Sequence, residues 1–218
     1  MIRENLLRKK LESGEPTVAT RIWSTNPFIT ETIGNSENFD YIEFAAEYAP
    51  FSQVDLENIC RAAELYNMAT LIKVDFQNRG YVAQKAMAAG FQAIMFTDHE
   101  TPEQVRESIR LPTPATPDCK GLYGYPMRRF IGGQSHVPPM THAQRVKQVV
   151  RCFMIEKVAA MENLEEICSI PGVDMVQFGS GDWGMNQGFD RTDRPEECKA
   201  AEREMIACAL RHGVRPRC

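Results

Sequence analysis

Two acidic residues stand where short apolar runs end, Glu156 in CFMIE and Asp182 in VQFGSGD. Each run reads as a buried parallel strand, and each precedes a helix-like stretch. In a barrel of alternating strands and helices, the carboxyl ends of the strands converge on one rim, and catalytic groups collect there. Two carboxylates on that rim repel each other unless a cation lies between them. Mg²⁺ suits the position, because it takes one or two carboxylates together with water and substrate oxygens. The same two residues also fit plainer roles, Glu156 as a surface side chain and Asp182 as a helix cap.

Other residues could complete such chemistry. Gly179-Ser180-Gly181-Asp182 joins a strand to a helix start, where glycine admits close approach and unsatisfied N–H groups favour an anion such as a carboxylate. In Glu47-Tyr48-Ala49-Pro50, the proline stops the second strand pattern and implies a turn at the rim. Glu47 could orient a water there and Tyr48 could bond a substrate oxygen. With a reference pKa of about 10, an unassisted tyrosine is a poor base, and Tyr48 also fits a packed aromatic. Lys73 in LIKVD is costly to bury unless its ammonium meets a partner or ligand. It could steady an oxyanion, form a Schiff base, or pair with Asp75 or Glu43. His99, His136, His142 and His212 show no ligand spacing. His99 in FTDHE is expected near the rim, and His142 and His212 on exposed helix positions. Arg128 and Arg129, after KGLYGYP, are candidates to clamp an acidic substrate.

These residues need elements to hold them. Strand patterns fall at residues 17–23, 39–44, 69–75, 92–97, 121–125, 151–156 and 173–179. An opening helix is expected at 2–13, and amphipathic stretches at 28–33, 54–66, 82–89, 102–109, 142–150, 159–170 and 195–212. Gly213-Val214 then looks like the start of an eighth strand. This alternation is α/β, and the count predicts a single domain over 1–218: a (β/α)8 TIM barrel, C-terminally short, with its eighth strand and helix incomplete. An open doubly wound sheet is the alternative. Prolines and glycines within 111–131 and the loop 132–139 suggest either a shaped active-site loop or a plain surface connection.

The sequence has 218 residues, 43% hydrophobic and 25% charged, with a formal net charge of -4, so no basic surface argues for nucleic acid. No apolar stretch has the length of a membrane span. Seven cysteines without a CxxC pair argue against a zinc motif or a disulfide framework, so a cytoplasmic setting is expected.

Taken together, the residues resemble the HpcH/HpaI family, metal-dependent aldolases of 2-oxo acids such as 4-hydroxy-2-oxoheptanedioate. The resemblance covers nearly the whole sequence. It is carried by Phe39-Asp40, the Glu47 to Pro50 turn, Lys120-Gly121 with Gly124, Ile155-Glu156, and the run from Pro171-Gly172-Val173-Asp174 to Gly179-Ser180-Gly181-Asp182. It implies that Glu156 and Asp182 bind Mg²⁺ or Mn²⁺, with Co²⁺ a third candidate, and that the turn amides of Gly179, Ser180 and Gly181 hold the substrate carboxylate. In the family the cation chelates a 2-oxo acid and stabilises the enolate formed as the C–C bond breaks. Arg128 is a further substrate-binding candidate, and Lys73, Tyr48 and Glu47 are the catalytic candidates. The family's His and Asp for proton transfer are replaced by Tyr48 and Ala45, its strand-three arginine by Lys73, and a supporting aspartate by Ala88. A C–C lyase on a small 2-oxo acid is therefore the leading expectation. Decarboxylation or other enolate chemistry, or a non-catalytic binding role, are the alternatives. The partners expected are a small 2-oxo acid and further copies of the chain in a homo-oligomer, without nucleic acid or membrane.

Overall fold

The computed structural model describes residues 4–126, 128, 129 and 137–218. His136 and residues 132–136 of the expected loop lie outside them. Seven strands follow one another in the sheet in chain order, and the registered pairs are parallel. Packing separates two compact units, Met1–Ile94 with Arg110–Val150 and Met95–Ile109 with Arg151–Cys218.

The first unit opens with α1 (Leu6–Ser13), started by Asn5, whose side chain accepts from the Arg8 N–H, and ended by Gly14 at φ 78°. Strand β1 (Ala19–Ile22) pairs with β2 (Tyr41–Ala45), which pairs with β3 (Ala69–Val74). Every residue of β2 and β3 is buried, as expected of strands covered on both faces. Helices α2 (Pro27–Asn35), α3 (Gln53–Leu65) and α4 (Arg79–Ala89) connect the strands. A reciprocal box starts α3: Ser52 accepts from the Asp55 N–H, and Asp55 accepts from the Ser52 N–H. Also in this unit is α6 (Pro139–Lys147). It stops before the expected 150, because Val149 and Val150 are buried and the chain turns extended at Val150.

Residues 121–125 form no strand, contrary to expectation. They fold against their own preceding segment. Leu122 donates to Arg110 O (2.8 Å), Tyr123 to Thr113 O (2.8 Å) and Gly121 to Pro114 O (3.0 Å), and among the described residues the ladder contact is an isolated Pro114–Tyr123 bridge. A Cβ on Gly121 would collide with the Thr113 carbonyl, so this close return depends on glycine.

Strand β4 (Ala93–Phe96) runs across the boundary between the units. The second unit holds α5 (Pro102–Arg110) up to Ile109, then β5 (Val150–Ile155) from Arg151, β6 (Met175–Phe178) and β7 (Arg215–Arg217), with β5–β6 and β6–β7 parallel. Short helices α7 (Val158–Glu162) and α8 (Leu164–Ser169) replace one expected helix over 159–170, divided at Asn163. After β6 come α9 (Ser180–Gln187) and α10 (Pro195–Arg211). Cys198, Ala201, Met205, Cys208 and Ala209 are the buried residues of α10, a helical repeat facing β6, β7 and α8. The strand expected from Gly213-Val214 is β7; Gly213 takes φ 70° and Val214 is buried. Among the described residues no helix is long and apolar enough to cross a membrane, and all seven cysteines are free thiols.

Candidate active site

Glu156 follows β5 directly and is only 2% exposed. Its Oε1 accepts the Asp98 N–H at 2.9 Å. Asp98 sits just beyond β4 with φ 59°, a left-handed conformation that Asp tolerates better than most residues. That backbone turns its amide to Glu156 and leaves its carboxylate to pair with Lys157 Nζ at 2.7 Å. Burial lowers the pKa of Lys157, but the hydrogen bond to Asp98 and the charges of Asp98, Glu156 and Asp182 outweigh it and hold the ammonium above its usual range. Asp98, Glu156 and Asp182 thus all act on one ammonium.

The turn after β6 is built against this carboxylate. The Gly179 N–H donates to Ile155 O at 3.0 Å. A Cβ on Gly179 would lie 2.6 Å from Glu156 Cβ and 2.7 Å from Glu156 Oε2, so only glycine fits. Trp183 N–H to Gly179 O (3.0 Å) is the first helical bond of α9, which leaves the amides of Ser180, Gly181 and Asp182 ahead of the ladder. A Cβ on Gly181 would meet nothing within 4 Å. Asp182 is half-buried in the first turn, where the helix dipole favours its charge. Hard oxygen donors suit a divalent cation of the Mg²⁺ or Mn²⁺ type.

In the first unit, Lys73 is 5% exposed and meets Glu47 Oε2 at 2.7 Å. The sequence-level candidates for that partner were Asp75 and Glu43. Asp75 instead accepts from the Asn78 N–H (2.9 Å), and Glu43 pairs with Arg21 (2.6 Å). The Tyr48 ring centroid lies 5.0 Å from Lys73 Nζ. Burial raises the Tyr48 pKa more than the Lys73 charge lowers it, so its hydroxyl is a donor at neutral pH and not a base. Ala45 is fully buried and Ala88 nearly so, and neither can move a proton.

The remaining histidine and arginine candidates have defined surroundings. His99 follows β4 beside Asp98 and is buried, 1% exposed; its Nδ1–H donates to Thr97 O (2.8 Å), Nε2 accepts from Ser108 Oγ (2.7 Å), and it packs edge-on against Phe153. His142 is buried beside Tyr123 and Tyr125 rather than exposed. Arg128 and Arg129 are engaged by protein carboxylates, Arg128 Nε with Glu57 at 2.9 Å and Arg129 with Glu64 at 2.8 Å. Sequence reasoning passed over Asp98 and Lys157. Asp98 carried the same sign as Glu156, an acidic residue just past a strand, and Lys157 is the residue next to Glu156.

An α/β chain of parallel strands, with carboxylates beyond the strand ends and a helix start open to an anion, has the layout of an enzyme for small carboxylate substrates. The chain belongs to the HpcH/HpaI aldolase/citrate lyase family, whose model matches residues 23–215. It is 22% identical over 214 residues to the hydroxypyruvate/pyruvate aldolase of Sagittula stellata, covering 97% of this chain and 81% of that one. It is 23% identical over 193 residues to the 2-keto-3-deoxy-L-rhamnonate aldolase of Escherichia coli, covering 88% and 70%. Its fold matches the HpcH/HpaI aldolase of Desulfitobacterium hafniense with a TM-score of 0.81 at 23% identity, over 97% of this chain and 80% of the other. The chain is a carbon–carbon lyase by family, and its named relatives are aldolases of small 2-oxo acids.

Proposed function

We propose that the chain cleaves or forms a carbon–carbon bond in a small 2-oxo acid by way of a pyruvate-type enolate, with Glu156 and Asp182 holding a divalent cation. When bound, that cation supplies Lewis-acid stabilisation of the charge that develops on the substrate's carbonyl oxygen. Glu156 contributes a buried carboxylate whose direction is fixed by the Asp98 N–H. The amides of Ser180 and Gly181 receive the substrate carboxylate, and Gly179 keeps the backbone clear of Glu156. Lys157 offsets negative charge there and stays protonated. In place of the family's arginine, Lys73 would steady the enolate oxygen, and in place of its His and Asp the proton would pass to Glu47 with Tyr48 or to a water on the cation. Tyr48 acts as the donor of that group, since its pKa is raised. Arg128 has no substrate role in this reading, because Glu57 engages it.

The observation that carries the proposal is the buried Glu156 carboxylate packed against a turn that admits only glycine. The test is NMR-monitored exchange of pyruvate C3 protons in the presence of Mg²⁺. Exchange should require the cation and disappear in Glu156→Gln and Asp182→Asn. Exchange that persists in both variants, or that ignores chelation, refutes the reading.

The replacement of the family's acid–base pair by Tyr48 and Ala45 favours one alternative. Decarboxylation of a 2-oxo diacid forms the same enolate and loses CO₂ without any proton removal by the protein. Release of CO₂ from oxaloacetate, with no aldol product from pyruvate and aldehydes, would select it.

A further inference from the structure

A second cluster of ligating side chains lies between α8 and α10. Glu165, Cys208 and His212 each present one donor atom, and these atoms lie within 4.8 Å of one another. His212 Nε2 stands 2.7 Å from Glu165 Oε2, while Arg211 holds the other oxygen of Glu165. A fourth donor is adjacent: the Cys168 thiol interacts directly with the Cys208 thiol. Both cysteines are buried, at 3% and 1% exposure, whereas the Glu165 and His212 side chains reach solvent.

Two short sequence spacings produce the cluster. Glu165 and Cys168 are three apart on α8, and Cys208 and His212 are four apart at the end of α10, so each pair shares one helix face. Packing of α8 on α10 brings the two faces together.

We propose that Glu165, Cys168, Cys208 and His212 form a zinc site that clamps α8 to the end of α10. Two thiolates, an imidazole and a carboxylate oxygen are a zinc donor set, and a closed four-ligand site is the structural kind. Tetrahedral zinc with ligand bonds of about 2.0–2.3 Å needs donors somewhat closer together than the 4.8 Å limit that Glu165, Cys208 and His212 meet, and it needs Cys168, which adjoins Cys208 but stands outside that group, drawn in with them. A rotamer change at the half-exposed His212 and Glu165 side chains supplies that closure. The metal would replace the proton that His212 Nε2 now shares with Glu165 Oε2. Binding releases the two thiol protons to solvent, shifts the proton of His212 Nε2 to Nδ1, and leaves Arg211 bonded to the outer oxygen of Glu165, orienting it. The donors are softer than those at Glu156 and Asp182, so the two sites select different cations. The proposal does not depend on the lyase reading.

Co²⁺ titration of the reduced full chain, with Zn²⁺ as competitor, tests it. One equivalent of Co²⁺ should produce thiolate-to-cobalt absorption of tetrahedral type, bleached by one equivalent of Zn²⁺, and Zn²⁺ should raise the melting temperature. Both effects should be lost in Cys208→Ser and in the surface variant His212→Gln, and retained in Glu156→Gln. Absence of the absorption, or its survival in His212→Gln and Cys208→Ser, overturns the site. So does a Cys168–Cys208 disulfide in protein isolated without reductant that, once reduced, still binds no Co²⁺.

Discussion

Adding one methyl group at Gly179 tests the proposed metal site most directly. In Gly179→Ala the new Cβ would stand 2.6 Å from Glu156 Cβ, 2.7 Å from its Oε2 and 3.0 Å from Met154 Cε. No backbone strain enters, since Gly179 sits at φ -110°, a value open to alanine. The clash can be relieved in two ways. If Glu156 holds its place, the core must expand, at a cost of about 1–3 kcal/mol. If Glu156 swings away, it forfeits the Asp98 amide, and a displaced ligand costs about 10- to 100-fold in metal affinity. Gly181→Ala is the control, because its Cβ meets nothing within 4 Å. Mn²⁺ binding by titration calorimetry, paired with urea denaturation of the metal-free protein, reads both routes. Gly179→Ala should lose at least about tenfold in Mn²⁺ affinity, about 1.4 kcal/mol, or an equivalent amount of stability, while Gly181→Ala keeps both. Wild-type affinity and stability in Gly179→Ala would show that the close packing of Glu156 on this turn is not what fixes the carboxylate.

Two further perturbations reach the first unit. Lys73→Met leaves Glu47 as an unpaired and largely buried carboxylate, and loss of one partner of such a pair costs about 3–5 kcal/mol; the double variant Lys73→Met with Glu47→Gln should recover part of it in urea denaturation, and a neutral single variant would remove Lys73–Glu47 from the framework. His142 is held neutral, first by burial and then by the Arg145 charge, with its pKa lowered from 6.5 to about 4. The unfolded chain therefore binds a proton that the folded chain refuses between about pH 6.5 and 4. Stability from this group is complete above pH 6.5 and falls by up to about 3 kcal/mol as pH drops through that window. Denaturation midpoints of the wild type and His142→Phe should diverge there, and parallel curves would mean that His142 titrates normally.

The parts of the fold that rest on continuous apolar runs are legible in the sequence. The third strand, expected at 69–75, is Ala69–Val74, and the sixth expected strand, 151–156, is Val150–Ile155. Both are buried throughout, so local composition and tertiary environment agree. The segment 121–125 misleads because Leu122 and Tyr123 have strand-like side chains, while its hydrogen bonds go to residues 110–115. Glu156 does stand just past a strand, and Asp182 lies in the first turn of the helix that follows one, the places their sequence contexts imply. Lys73 visibly needs a partner, but its choice of Glu47 depends on how the turn after β2 folds, which no spacing reveals. His99 follows a strand, as its context implies, but its burial depends on Ser108 and the Thr97 carbonyl, which satisfy both ring nitrogens. A search for CxxC motifs passes over Cys208 and His212, whose four-residue spacing acquires meaning only when α8 brings Glu165 alongside.

The departures from the family pattern bear unequally on the two steps of an aldolase. Stabilising an enolate needs a cation, a fixed carboxylate and a seat for the substrate's own carboxylate. In the reading proposed above, Glu156, Asp182 and the start of α9 would supply the protein's share of these without the altered residues. Handling the proton of the aldol hydroxyl needs a group that changes protonation state near neutral pH. Ala45 and Ala88 cannot do so, and Tyr48 holds its proton more firmly than a free tyrosine. The two steps should therefore separate under mutation. Variants at Glu156 or Asp182 should abolish pyruvate proton exchange and aldol turnover together. Variants at Glu47 should slow aldol turnover, typically by about 10²–10⁴-fold for loss of a general acid–base group, those at Tyr48 by less, and both should leave cation-dependent stabilisation of the enolate in place. Equal losses from both sets would mean that proton transfer and charge stabilisation are not divided in this way.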